Sequence, residues 1–225
     1  MMPVYFLDAG TTWSKILKVE NGKKEYSVIK TSDLKNLNLD FEIITGHSIN
    51  KIKGKYENEV VALSYGVDRN ELQNETVLDL GSRDAKRIKF KNSKFQDMDW
   101  NTNCASATGA TIEMLLKFYN LDIKELKPTK EKYPVTCGIF GLEKIMDDIS
   151  NGVDTSYAVS KFISGIAFNA YNFTKCPNKI YLSGGFCENH CFVESLKFYT
   201  EVILLGRFVL VDGLYNIYKN NMNNC

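Results

Sequence analysis

The sequence predicts an α/β protein built from two related halves, and three features of the 225-residue chain lead to this prediction. One short apolar strand ends on Asp8 and enters a Gly-containing turn, and a second strand ends on Asp79 before a similar turn. Helical and strand patterns then alternate through the C-terminal part of the chain. We therefore expect an N-terminal half over residues 1–70 and a C-terminal half over residues 71–225.

The first half contains β-forming runs separated by turn residues, with a strong hairpin signal at Asn21-Gly22. A polar stretch at 31–39 predicts a surface loop or a short helix. The remaining elements of this half are strands at 4–8, 13–20, 23–30 and 41–46 and a short helix at 58–65.

The pattern of a strand, a turn and two further strands restarts in the second half. Its strands are predicted at 75–80, 85–90 and 94–100. Apolar residues at helical spacing, interrupted by two short strand patterns, follow this unit. The predicted helices are 105–118, 138–149, 155–173, 188–199 and 213–218, and the predicted strands are 179–182 and 208–211.

The first turn combines the residue types that a site for phosphate and metal needs. Gly10 lets backbone N–H groups approach phosphate, and the hydroxyls of Thr11 and Thr12 donate hydrogen bonds. Lys15 adds positive charge, and the Asp8 carboxylate orients Mg²⁺ or its waters. The alternative is an ordinary tight turn between two strands.

The second turn repeats this arrangement, with Gly81, Ser82 and Arg83 after the strand that ends on Asp79. Asp79 and Asp84 are candidates for holding the waters of Mg²⁺ or for orienting an attacking water. Either residue is alternatively a plain turn aspartate. The recurrence in the same context favours two halves that face one nucleotide.

A third turn, at Gly184-Gly185, lies between a short strand and a helical pattern. Adjacent glycines allow a flat ligand such as adenosine to come close to the backbone, although a tight strand-to-helix turn also uses them. Two phosphate turns followed by a Gly-Gly turn are typical of the actin-like ATPase (ribonuclease H-like) fold. This fold places a nucleotide cleft between two α/β halves.

Cys104 and Cys137 each precede a predicted helix. Helix N-termini favour anions and lower thiol pKa values, so both positions suit thiolate ligands of an iron–sulfur cluster. Two cysteines do not complete a four-thiolate site, but two copies of the chain related by a twofold axis do. The alternative is that both are buried small hydrophobic residues. Cys187 and Cys191, at i, i+4 spacing, are candidates for a weak metal site, although core or surface thiols are the favoured interpretation; no role is assigned to Cys176 or Cys225.

Composition excludes several classes of function. Lys and Arg number 28 against 27 Asp and Glu, so no overall charge attracts nucleic acid or an anionic membrane. Apolar runs are too short to span a bilayer, and the N-terminus enters a strand without a signal-peptide pattern, which predicts a cytoplasmic protein. With two histidines, His47 and His190, a catalytic centre based on Ser-His-Asp or Cys-His is poorly supported.

Over most of its length the chain resembles the ATPase activators of 2-hydroxyacyl-CoA dehydratases, which are grouped with the ATPase subunits of benzoyl-CoA reductases. The resemblance rests on the two phosphate turns, the Gly-Gly turn and the two cysteine motifs, in that order. The matching segments are Asp8-Ala9-Gly10-Thr11-Thr12 with Lys15, Asp79-Leu80-Gly81 with Asp84-Ala85-Lys86, Asn103-Cys104-Ala105-Ser106-Ala107-Thr108-Gly109, Cys137-Gly138-Ile139-Phe140, and Ser183-Gly184-Gly185 with Asn189.

The resemblance implies a homodimer that binds ATP or ADP with Mg²⁺ and shares one [4Fe-4S] cluster through Cys104 and Cys137 of each subunit. It implies that ATP hydrolysis drives a low-potential electron into a partner dehydratase or reductase, with ferredoxin or flavodoxin as the upstream donor. It also places Asn189 in the nucleotide site.

The second turn departs from the family pattern, which has Gly-Gly-Gln where this chain has Gly81-Ser82-Arg83. Arg83 is a candidate phosphate contact in place of that Gln. Ala107 replaces a family Gly. The alternatives are a small-molecule kinase with the same fold, using Asp79 or Asp84 as general base, and a degenerate protein that binds nucleotide without turnover.

Overall fold

The computed structural model describes residues 2–47, 52–101, 109–135 and 138–223. The chain forms two compact units. The first contains the chain up to Gln73, the hairpin tip Asn92–Phe95 and the chain from Arg207 onward. The second contains Asn74–Lys91 and Gln96–Gly206.

The strands and helices alternate in an α/β arrangement, as the sequence predicts. The strands are β1 (Val4–Ala9), β2 (Trp13–Glu20), β3 (Lys23–Lys30), β4 (Ile43–Gly46), β5 (Lys55–Tyr56), β6 (Thr76–Leu80), β7 (Ala85–Lys91), β8 (Lys94–Asn101), β9 (Lys179–Ser183) and β10 (Glu201–Gly206). The α-helices are α1 (Glu59–Gly66), α2 (Gly109–Phe118), α3 (Gly138–Ser150), α4 (Thr155–Phe173), α5 (His190–Lys197) and α6 (Val209–Asn223). Short 3₁₀ helices occur at Thr31–Asn36, Ile123–Glu125 and Gly185–Glu188.

The first unit contains a five-stranded sheet in the order β3-β2-β1-β4-β5. Strand β1 is central, antiparallel to β2 and parallel to β4. The β2–β3 hairpin turns at Asn21 and Gly22, whose φ values of 50° and 78° match the two-residue turn that the Asn-Gly pair predicts. Hydrophobic side chains including Leu7, Ile16 and Ile44 are buried in one cluster of this unit.

The second unit repeats this plan, and its sheet has the order β8-β7-β6-β9-β10. Strand β6 takes the place of β1, being antiparallel to β7 and parallel to β9. Its core packs Leu78 and Leu182 of the sheet with Phe162 and Ile163 of α4. The predicted duplication is therefore confirmed at the level of strand order, and it places Asp8 and Asp79 at equivalent strand ends.

Helix α6 packs on α1 and on the sheet of the first unit. The ring of Phe6 lies 5.6 Å from the ring of Tyr215 and 5.5 Å from that of Tyr218. Asn58 begins α1, because its side chain accepts a hydrogen bond from the N–H of Val60 at 2.8 Å. Among the described residues, each helix is too short or too polar to cross a membrane.

Two sequence-based predictions differ from the structure at the C-terminal end. The strand predicted at 208–211 is wrong, because Val209–Val211 form the start of α6, and the strand of this region is β10, at Glu201–Gly206. A run of three apolar residues, Val209–Val211, fits a strand and a buried helix equally well. The predicted division near residue 70 also differs from the observed units, since α6 groups with the first one.

Contact between α1 and α6 depends on a glycine in each helix. A Cβ atom on Gly213 would lie 1.8 Å from the carbonyl oxygen of Ala62, and one on Gly66 would lie 2.0 Å from that of Val209. Neither position accepts a side chain without separation of the helix backbones. The two glycines therefore set the distance at which α6 covers the sheet.

We expect Gly213→Ala to lower the free energy of unfolding by about 3 kcal/mol, because the new methyl group overpacks this contact. Urea denaturation measures the change, with Asn220→Ala on the exposed side of the same helix as the control. In a helix free of tertiary contacts the same substitution is stabilising by roughly 1 kcal/mol. A more stable Gly213→Ala variant would therefore contradict the packing described.

Candidate functional site

The first turn begins with a buried ion pair. Asp8 is 3% exposed at the end of β1, and Lys15 lies directly opposite it on β2. Lys15 Nζ donates a hydrogen bond to Asp8 Oδ2 at 2.9 Å. The strand register thus brings together two of the predicted site residues, and the ammonium compensates the charge of the carboxylate.

The backbone after Asp8 is tightly folded. A Cβ atom on Gly10 would lie 2.5 Å from the carbonyl oxygen of Trp13, so this position needs glycine. Thr31 supports the turn, since its hydroxyl donates to the carbonyl of Gly10 at 2.7 Å and its N–H donates to that of Thr12 at 2.9 Å. Thr11 is exposed. The arrangement fixes the turn while one threonine side chain faces solvent.

The second turn has the same spacing and a further buried carboxylate, Asp84. Asp79 lies opposite Lys86 in the β6–β7 register, as Asp8 lies opposite Lys15. Lys86 Nζ donates to Asp84 Oδ1 at 2.9 Å. The carboxylate of Asp79 accepts a hydrogen bond from the Ser183 hydroxyl at 2.7 Å.

Asp84 forms a second hydrogen bond through its other carboxylate oxygen. The indole Nε1 of Trp100 donates to Asp84 Oδ2 at 2.6 Å. The ammonium of Lys86 lies 5.0 Å from the centre of the Trp100 ring, a distance that permits a cation–π interaction. Asp84 and Lys86 are both buried. The Asp84 carboxylate therefore has a hydrogen-bond donor on each of its two oxygens.

The second turn also contacts the start of helix α2. The N–H of Gly109 donates to the carbonyl of Gly81 at 3.3 Å, and that of Ala110 donates to the carbonyl of Ser82 at 3.0 Å. A Cβ atom on Gly109 would lie 3.2 Å from the Phe186 ring and 3.3 Å from the Gly81 oxygen. A displacement of this turn would therefore also displace the N-terminus of α2.

The Gly-Gly turn packs against the end of β6. Gly184 has φ +91°, and a Cβ atom on it would lie 2.4 Å from the Leu80 carbonyl oxygen and 3.1 Å from Asp79 Oδ1. A Cβ atom on Gly185 would meet nothing within 4 Å. Since β6 and β9 are parallel neighbours, the structure brings this turn and the second phosphate turn together at one end of the sheet.

Two further predicted residues, Asn189 and Arg83, lie in described parts of the chain. Asn189 is buried and begins α5, where its Oδ1 accepts a hydrogen bond from the N–H of Phe192 at 3.0 Å. Arg83 is exposed. Cys104 and Cys137 lie outside the described residues. Helix α3 begins at Gly138, directly after Cys137 in the sequence.

The described cysteines of the Gly-Gly region are core thiols. Cys191 is fully buried, and Cys187 donates a hydrogen bond through Sγ to the Leu182 carbonyl at 3.2 Å. Burial raises the pKa of Cys187 to about 12 and the pKa of Cys191 to about 11. Both therefore stay protonated near neutral pH, whereas a metal ligand is a thiolate.

Sequence reasoning assigned no site role to Lys86, Trp100 or Ser183, although Lys86 and Ser183 fall inside the matched motifs. A signal for Lys86 exists, because Asp79 and Lys86 have the same separation as Asp8 and Lys15. Trp100 carries no such signal, since its contact with Asp84 depends on how β8 lies in the sheet.

The two sheets, with their matching strand orders and strand-end aspartates, define the actin-like ATPase fold. No family model matches the chain. It is 21% identical over 222 residues to the (R)-2-hydroxyglutaryl-CoA dehydratase activating ATPase of Acidaminococcus fermentans, an alignment that covers 84% of this chain and 85% of the relative.

Two solved structures have a similar fold. One is the activator of 2-hydroxyisocaproyl-CoA dehydratase from Clostridium difficile with bound ADPNP, with a TM-score of 0.79 and 19% identity over 99% of this chain and 97% of that one. The other is component A of the A. fermentans (R)-2-hydroxyglutaryl-CoA dehydratase, with a TM-score of 0.78 and 19% identity over 99% and 100%. The resemblance predicted from the motifs is confirmed.

Proposed function

We propose that the chain is an ATP-dependent activator that passes a low-potential electron from a [4Fe-4S] cluster to an acyl-CoA dehydratase or reductase. The observation that supports this most directly is its similarity, along almost the whole chain, to two activators of 2-hydroxyacyl-CoA dehydratases. The active form is a homodimer, and ferredoxin or flavodoxin supplies the electron.

The phosphate turns fit a nucleotide with Mg²⁺. Gly10 and Gly184 occupy positions where a side chain would collide with backbone, which keeps each turn close and its peptide groups fixed. Asp8 and Asp79 end equivalent strands, where carboxylates can orient the waters of a hard cation. Lys15, Thr11, Thr12, Gly81, Ser82 and Gly185 complete the proposed binding set.

Hydrolysis of ATP in this proposal relies on Asp84 rather than on the Gln that the family pattern has in its second turn. Asp84 ends the second turn and is held by Lys86 and Trp100, so its orientation is fixed before any ligand arrives. Arg83 is exposed, which leaves it able to reach a phosphate without breaking an internal contact.

A cluster bound by Cys104 and Cys137 would supply the one-electron redox chemistry. Its support is the position of each cysteine shortly before a helix: Cys137 precedes α3, and Cys104 lies five residues before α2. The positive end of a helix dipole favours an anionic cluster, and at α2 this dipole acts although its first two N–H groups already donate to the second turn. Moving one electron through 100 mV requires about 2.3 kcal/mol, so the free energy of ATP hydrolysis is sufficient for a shift of a few hundred millivolts.

The hydrogen bonds from Gly109 and Ala110 to the second turn give this proposal a physical connection. They join the backbone of a phosphate turn to the helix that follows Cys104. A change at the turn when ATP is hydrolysed would thus reach α2 without passing through flexible side chains.

Anaerobic purification followed by iron, sulfide and visible-spectrum analysis tests the proposal. We expect a brown protein with about two irons per chain, because two chains share four irons. ATP with Mg²⁺ should raise the melting temperature, since a ligand that binds only the folded state stabilises it. A colourless protein that turns over ATP only with a hydroxylated acceptor would be a kinase instead. A colourless protein stabilised by ATP without turnover would be a degenerate nucleotide-binding protein.

A further inference from the structure

Trp100 lies at the end of β8, and no motif in the sequence marks it as functional. Its indole N–H and its ring contact two different members of the second turn. The N–H donates to Asp84 Oδ2 at 2.6 Å, and the ring centre lies 5.0 Å from the ammonium of Lys86. Lys86 in turn donates to Asp84 Oδ1 at 2.9 Å, which closes a three-membered network.

In the first turn, Lys15 pairs with the strand-end Asp8. In the second turn the equivalent lysine donates to Asp84, which lies five residues beyond the strand-end Asp79. A buried carboxylate with a donor on each oxygen has little freedom to rotate. The Trp100 contact therefore fixes the plane of the Asp84 carboxylate as well as its position.

We propose that Trp100 is a positioning residue that holds the Asp84 carboxylate in the orientation needed for ATP hydrolysis. This inference rests on the proposed function and assigns a residue that acts through Asp84 without touching the nucleotide. The backbone strengthens the argument, since the N–H of Gly81 donates to the carbonyl of Asp84 at 3.1 Å. The orientation of Asp84 is thereby tied to the shape of the whole turn.

Trp100→Phe separates the two contacts, because it keeps an aromatic ring near Lys86 and removes the donor to Asp84. We expect kcat for ATP hydrolysis to fall about tenfold, the effect of losing one hydrogen bond to a charged group. The KM for ATP should change by less than about twofold, since the interaction acts on the reacting geometry rather than on binding. Met98→Leu, two residues earlier on the same strand, is the control and should leave both constants unchanged.

Nuclear magnetic resonance tests the inference on the wild-type protein, so the test does not depend on whether Trp100→Phe folds. The chain has two tryptophans, so its indole N–H spectrum contains two signals, and Trp13→Phe assigns them. A short hydrogen bond to a carboxylate should place the Trp100 signal downfield, and Asp84→Asn should move it upfield. Adding ATP with Mg²⁺ to the wild-type protein should shift the Trp100 signal, because the nucleotide then occupies the turn that Trp100 supports.

Two results would overturn the inference while leaving the proposed function intact. One is a Trp100→Phe variant with wild-type kcat, and the other is a Trp100 indole signal that does not respond to ATP with Mg²⁺ in a protein that hydrolyses ATP. A wild-type protein that neither hydrolyses ATP nor is stabilised by it would overturn the proposed function, and this inference with it.

Discussion

Replacing Lys86 by methionine is expected to lower the free energy of unfolding by about 3–5 kcal/mol, the cost of removing one member of a buried ion pair. The side chains of Lys86 and Asp84 are 4% and 5% exposed, so water does not replace the lost ammonium. Trp100 still donates to Asp84 in the variant, but a neutral donor does not balance the charge. Chemical denaturation at neutral pH measures the loss.

The surface pair between Lys197 and Glu194 provides a matched control. Its side chains are 45% and 32% exposed, and Lys197→Met should change stability by less than about 1 kcal/mol. The double variant Lys86→Met with Asp84→Asn should recover part of the loss, since it buries no unpaired charge. Equal losses of unfolding free energy in Lys86→Met and Lys197→Met would show that the buried ion pair stabilises the fold no more than the surface pair does.

Cys104→Ala and Cys137→Ala should each abolish the iron content and the brown colour of the anaerobically purified protein. A [4Fe-4S] cluster needs about four thiolates, and either substitution leaves two of them in a homodimer. Iron per chain should fall below about a tenth of the wild-type value. Because the readout is bound iron, the test does not require the partner enzyme or its acyl-CoA substrate.

Cys176→Ala is the control for this pair, because its thiol is exposed and lies on the short segment after α4. It should retain full iron content. Loss of iron in Cys176→Ala together with full iron in Cys104→Ala would contradict the assignment of the ligands. Retention of iron in all three variants would place the cluster on other residues.

The duplicated strand order was predictable from the sequence because each half begins with a short apolar strand and an Asp-x-Gly turn. Both features depend on residues that are neighbours in the sequence, so local steric preferences are enough to predict them. The helix predicted at 213–218 is confirmed within α6, but the helical start of α6 at Val209–Val211 was not predictable in the same way. Val209–Val211 satisfies the pattern of a strand, and only the close approach of Gly213 to Ala62 decides in favour of a helix. That approach joins positions about 150 residues apart in the chain.

In the candidate site, too, some contacts follow from sequence spacing and others do not. Asp8 and Lys15 face each other because they share a hairpin, so their pairing follows from sequence spacing. The contact between Asp84 and Trp100 does not follow from spacing, since it depends on where the end of β8 lies. Asn189 shows the opposite case, in which a residue of a binding motif has a structural role at a helix start.

Because α6 belongs to the first unit, that unit is assembled from both ends of the chain with the second unit inserted between them. During translation the ribosome releases the whole second unit before the residues of α6 emerge, a delay of roughly ten seconds or more. Until then Phe6 lacks the rings of Tyr215 and Tyr218 that later cover it. The first unit can therefore complete its core only after the second unit has been synthesised.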